Sequence, residues 1–174
     1  MDSRVASFAP VVGRTARILV LGSMPGLRSL AHAQYYAHPQ NLFWPFLGEI
    51  CGAGPELAYP DRLRRLTEAG IALWDVLGEC ERIGSLDTAI RGASEKPNDI
   101  AGLVARHPEL HTIAFNGAKA RQAFRRHVEP GIDVERLAQL RLLSLPSTSP
   151  ANASMPRAKK RARWLVLRDL IAAG

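Results

Sequence analysis

The sequence predicts an α/β fold, a single-domain three-layer α/β/α sandwich around a central four-stranded parallel sheet. Four short runs of apolar and β-branched residues recur along the chain with stretches of helical period between them. Strands apolar on both faces and linked through helices are the pattern of a parallel sheet covered on both sides. The chain also has 174 residues, 47% of them apolar, enough for one sizeable core and short for two.

Residues 1–15 show no clear periodicity and are expected to form a flexible segment that frays or lies across the surface, leaving 16–174 as the domain. The first strand is expected over 17–21, stopping at Gly22, and the others over 71–74, 111–115 and 140–145. Helical patterns fill 43–50, 61–69 before Gly70, 99–106 behind Asn98 as N-cap, and 118–127. A last helix is expected near 156–172, with Pro156 in its first turn and Trp164, Leu167 and Ile171 at core spacing. Neither a repeat nor an interdomain linker is visible.

Composition narrows the partner. A formal charge of +7 and an isoelectric point near 10.1 suit a polyanion, nucleic acid first and an acidic membrane surface second. Cys51 and Cys80 stand far apart, in no C-x-x-C pair, so neither a zinc site nor a disulfide framework is indicated, and no metal or other cofactor is expected. Residues 1–10 carry no signal-peptide pattern and no apolar run nears the ~18 residues of a membrane span, so a cytoplasmic protein, nucleoid-associated when acting on DNA, is expected.

In an open parallel sheet the ligand sits beyond the carboxyl ends of the strands. Those ends read Gly22-Ser23-Met24-Pro25-Gly26, Asp75, Asn116-Gly117, and Pro146 through Asn152. Small and polar residues there let backbone N–H groups approach a base or a phosphate, although each turn alone is also ordinary turn chemistry. Between 27 and 41 no period is visible, yet Tyr35, Tyr36, His38, Gln40 and Asn41 crowd together and Phe43 and Trp44 follow. Such a segment offers π-faces to a planar base and amides to its edge. The plainer reading makes Phe43 and Trp44 core.

Gly22-Ser23-Met24-Pro25-Gly26 followed by Tyr36-Ala37-His38-Pro39-Gln40-Asn41-Leu42-Phe43-Trp44 resembles the first motif region of the mismatch-specific uracil-DNA glycosylases. With residues 73–77, Gly84-Ser85-Leu86-Asp87, Phe115-Asn116-Gly117 and the 145–152 segment, the chain resembles the hypoxanthine-DNA glycosylase branch of that superfamily. The likeness runs from about Ile18 to the last helix, and the combination is specific where the first turn alone is weak.

The resemblance implies a monofunctional glycosylase that flips a deaminated base out of DNA and hydrolyses its bond to the sugar. It implies Asn41 as the principal catalytic group, Asn116 as catalytic amide and base partner, and Asp75 and Asp87 in support. Asn41 is also suited to cap the following helix. Met24 stands where mismatch-specific relatives hold water with an asparagine, so that side chain is lost. The implied base contacts are Tyr36 as stacking face, Ser23, Met24, Phe43 and Asn116. The implied DNA contacts are Gly26, Ser147, Thr148, Ser149 and Asn152, joined by the basic run with Arg157, Lys159 and Lys160. Leu145 replaces a polar residue of several relatives, and His38 and His107, each before a proline, read as structural. No lysine falls in the motif turns to act as a lyase amine. The expected partner is DNA with deaminated bases, met by a monomer. Rival readings are a uracil-directed glycosylase, a catalytically weak binder of damaged nucleic acid, and a small-molecule α/β enzyme, the last disfavoured by the basic run and the missing phosphate-loop motifs.

Overall fold

A computed structural model of the chain describes residues 3–174. In chain order the elements are β1 (Arg4–Ala6), β2 (Ile18–Gly22), α1 (Leu27–His32), α2 (Phe43–Cys51), α3 (Tyr59–Glu68), β3 (Ile71–Asp75), β4 (Leu77–Glu81), β5 (Lys96–Pro97), α4 (Ile100–Arg106), β6 (Thr112–Asn116), α5 (Ala118–His127), α6 (Val134–Ala138), β7 (Arg141–Leu145), α7 (Arg157–Trp164) and α8 (Val166–Ala173).

The expected four-stranded parallel sheet is present in the order β3-β2-β6-β7, with Ile18 opposite Ile71 and Thr112, and Thr112 opposite Arg141. Alternation along β2 sends Leu19 and Leu21 to one core and Ile18 and Val20 to the other. The first core is closed by α4 and α5 through Ile100, Leu103 and Phe124, the second by α2, α3, α7 and α8 through Phe43, Leu47, Leu66, Trp164 and Leu167. These are the three layers. Because β3 and β6 lie on opposite sides of β2, the winding reverses there, and the crevice it opens at the carboxyl ends is where an open sheet takes its ligand.

Several local expectations are corrected. The N-terminal segment is tied down from its third residue: β1 pairs antiparallel with β4 in a small second sheet, Val11 bridges Leu73, and the carbonyl of Phe8 accepts from Trp74 Nε1 at 2.9 Å. This segment covers the outer edge of β3, which would otherwise expose an unpaired ladder; Met1 and Asp2 lie outside the described residues. Asp99, not Asn98, caps α4 by accepting from Gly102 N at 2.9 Å, while Asn98 donates to Asp75 O and Ser7 Oγ. The last helix is two, separated at Leu165. Helix α1 follows Gly26, an N-cap with no side chain to bond the first turn, so 27–41 carried no start signal.

Candidate active site

The carboxyl ends of β2, β3 and β6, with the loop after β7, enclose a cleft of about 690 Å³. It brings together Ser23, Met24, Gly26, Tyr36, Asn41, Asp75, Asn116 and the 147–152 loop, residues up to 129 positions apart in the chain. Gly22 sets the spacing at its floor. A methyl group there would run into the Asp75 carboxylate and lie 2.9 Å from Tyr36 Oη, so the missing side chain is what lets the two polar groups converge.

Tyr36 carries a positive φ of 53°, a conformation costly for a bulky residue and found where the surroundings over-determine it. The conformation turns its ring onto Phe43, stacked at 4.0 Å between centroids and 25° between planes, while the hydroxyl is buried beside the Asn116 amide without a well-aligned hydrogen bond among the described residues. Phe43 itself is fully buried beneath it, against Trp44 and Trp164, and so is no direct base contact; it backs the platform. A half-buried ring held flat from behind presents its other face to the cleft without ordering cost. Tyr36→Ala is expected to slow excision of every substrate together by roughly 5–150-fold, for stacking worth about 1–3 kcal/mol, and Tyr36→Phe to be mild. Single-turnover rates of both variants check this.

The two asparagines are held differently. Asn41 Oδ1 accepts from Phe43 N at 2.9 Å, which ties down the start of α2, and its Nδ2 makes no hydrogen bond among the described residues. With the carbonyl engaged, the amide faces the cleft chiefly as a donor. Asn116 Nδ2 donates to Thr148 Oγ1 at 2.9 Å and its Oδ1 accepts from Thr148 N at 3.0 Å, a closed ring that locks the amide plane. One N–H and one lone pair remain on Asn116 for a ligand. Gly117, at φ 93°, then turns the chain away with Ser147 against it. Thr148 is fully buried in this ring, which removes it from the expected phosphate contacts.

An acidic pair lies beside the platform, Asp75 buried and Asp87 half-buried. Asp75 is 3% exposed, its Oδ2 has no partner among the described residues, and burial together with the Asp87 charge pushes its pKa up to about 7. Asp87, itself raised by burial, accepts from Ser23 Oγ at 2.5 Å. The buried Arg82 tempers both, and its guanidinium donates to the carbonyls of Pro25 and Gly84, bracing the first motif turn. A half-neutralised carboxylate at a cleft floor, without a hydrogen-bond partner for one oxygen, is equipped to hold and deprotonate a water. His38 lines the cleft, with Nδ1 accepting from Gln40 N.

The basic run divides. Lys160, expected on DNA, is 3% exposed and donates to Asn152 O at 2.6 Å, because it shares the apolar face of α7 with Trp164; it fastens the 147–152 loop. Arg161 pairs with Glu49, and Arg157 and Lys159 are exposed and do not line the cleft. Sequence reasoning missed Lys119, which lines the cleft but is ion-paired with the fully buried side chain of Glu95, and the arginines of α5, whose one-turn spacing opposite Ala120, Ala123 and Phe124 was the available signal. Among the described residues no group of acidic, histidine or cysteine side chains is arranged to hold a metal, and no helix is long and apolar enough to cross a membrane.

A family model described as the uracil DNA glycosylase superfamily matches residues 10–171. Hypoxanthine DNA glycosylases of Methanosarcina barkeri and Methanosarcina acetivorans are each 40% identical to the chain over 114 residues, 65% of its length and 71% of theirs. The solution NMR structure of a Methanosarcina acetivorans protein provisionally assigned as a uracil DNA glycosylase aligns with a TM-score of 0.77 at 32% identity, covering 96% of this chain and 98% of that one. Matched over nearly its whole length, the chain belongs to the uracil DNA glycosylase superfamily and is a DNA glycosylase that hydrolyses the N-glycosidic bond of a deaminated base.

Proposed function

We propose that the base removed is hypoxanthine, from deoxyinosine in DNA, and that Asn41, Asp75 and Asn116 carry the reaction. The observation that carries this reading is the convergence, in one cleft of about 690 Å³, of a backed stacking face, two fixed amides and an unpartnered buried carboxylate. Two curated relatives named for hypoxanthine support the choice of base. The flipped purine stacks on Tyr36, its O6 accepts from Asn116 Nδ2, and its N1–H donates to an acceptor of the same amide. Asn41 Nδ2 donates to a ring nitrogen as the C1′–N9 bond breaks and its electron pair leaves with the base. Asp75, ionised, offsets the positive charge growing on the sugar and takes the proton of the water that adds to C1′. The DNA contacts proposed are Gly26, Ser147, Ser149 and Asn152, and the enzyme is read as a cytoplasmic monomer.

Asn116→Asp tests the base contact. The carboxylate keeps the bond from Thr148 N, and the Thr148 hydroxyl can reverse to donate, so the fold survives. Hypoxanthine O6 then faces a second acceptor in a dry pocket, a mismatch of about 1–3 kcal/mol or more. Single-turnover excision from inosine duplexes should fall by roughly 5–150-fold, and excision from uracil duplexes should fall with it, because uracil presents the same carbonyl beside an N–H. An undiminished rate on inosine duplexes would count against Asn116 as the base contact.

A further inference from the structure

Beyond the cleft, α5, the end of β7 and α7 frame a second, open groove of about 890 Å³ that shares Gly117, Ala118, Ser147 and Asn152 with it. Four arginines line this groove, Arg121, Arg125, Arg126 and Arg163, and no acidic residue does. Two of them are held in place. Arg121 sits over Phe115 at 5.0 Å and pairs with Glu129, and Arg163 donates to Ser144 O at 3.1 Å. Arg125 and Arg126 are exposed and make no ion pair among the described residues, which leaves their charge for a ligand. Leu145, Pro146 and Met155 give the floor apolar surface.

We propose that this groove carries the phosphodiester backbone of the damaged strand as it leaves the flipped nucleotide. The proposal rests on the cleft taking that nucleotide from DNA. A polyanion suits a wall of four cations of which only Arg121 has a counter-charge among the described residues, and a guanidinium fork pre-set on an aromatic face loses little freedom on gripping a phosphate. The shared Gly117-to-Asn152 boundary makes the path continuous: a strand whose base enters the cleft has its next phosphates on one side over α5. Arg121 and Arg125, one helical turn apart, face the same way to meet them.

The test is binding, by fluorescence anisotropy, to a duplex carrying a tetrahydrofuran abasic analogue, between about 50 and 200 mM salt. The double variant Arg125→Gln, Arg126→Gln should lower the slope of log affinity against log salt by about 2, close to one unit per lost phosphate contact. Trimming the duplex at the lesion on one side should weaken wild-type binding about tenfold or more, trimming on the other side should do less, and the double variant should lose its response to the first trim. An unchanged salt slope, a double variant as sensitive to trimming as wild type, or a wild type indifferent to both trims would each overturn the proposal. The ligand has no base to release, so this outcome is independent of whether hypoxanthine is the substrate.

Discussion

Asp75→Asn is expected to lower single-turnover excision by roughly 10²–10⁴-fold and at the same time to raise the melting temperature at pH 8. Both effects have one cause. The carboxylate is buried, one of its oxygens is unpartnered, and its pKa is pushed up to about 7 by burial and by Asp87. A folded-state pKa above the unfolded value means that the folded protein binds the proton more tightly. The contribution to stability is fully present below about pH 4 and is lost as pH rises through 7. An amide never ionises, so the variant should gain up to a few kcal/mol above pH 7 and nothing at pH 4. Wild-type excision should rise through pH 7 and level off as Asp75 ionises, and the variant's residual rate should lack that step. Melting curves and rates across pH 4–9 measure both; a destabilised Asp75→Asn protein with an intact step near pH 7 would place the base elsewhere.

Asn41→Ala is expected to cost excision as heavily, by two orders of magnitude or more, while the melting temperature moves by only a few degrees. The side chain does two jobs through two different atoms: Oδ1 accepts from Phe43 N at the start of α2, and Nδ2 is left for the ligand. Losing the first costs about 1 kcal/mol. Losing the second removes a donor to the departing base, which acts in the transition state and so appears in the single-turnover rate. Asn41→Asp separates them, since it keeps the acceptor for Phe43 N and abolishes the donor. It should fold like wild type and excise as poorly as alanine. Recovery of the rate by aspartate would assign Asn41 to the helix alone.

The parallel sheet was legible because three of its strands, β2, β3 and β6, are buried along their whole length and read as short, mostly apolar runs, while the edge strand β7 keeps enough leucine to stand out although it is half-exposed. The small sheet was not, because β1 is three residues long and β4 spends Glu79 and Glu81 on its open face; non-local backbone pairing, not side-chain pattern, makes them strands. The turns at the strand ends could be read as a site because parallel topology puts them on one edge. Burial depth could not. Phe43 and Tyr36 both carry aromatic faces, and only the positive φ at Tyr36 decides which ring meets the cleft. Lys160 was readable in principle: it lies four residues before Trp164, on the stripe that faces the core, but a run of cations obscured that spacing.

The central claim is that this cleft removes hypoxanthine from DNA by hydrolysis. Its most direct measurement is release of free base, under single-turnover conditions at pH 8, from duplexes that carry one deoxyinosine, deoxyxanthosine or deoxyuridine. The account predicts that hypoxanthine leaves fastest from the deoxyinosine duplex, that the strand stays intact until alkali is added, and that Asn41→Ala and Asp75→Asn each slow that release by two orders of magnitude or more. Preferential release of uracil, or hypoxanthine release that neither substitution slows, would contradict it.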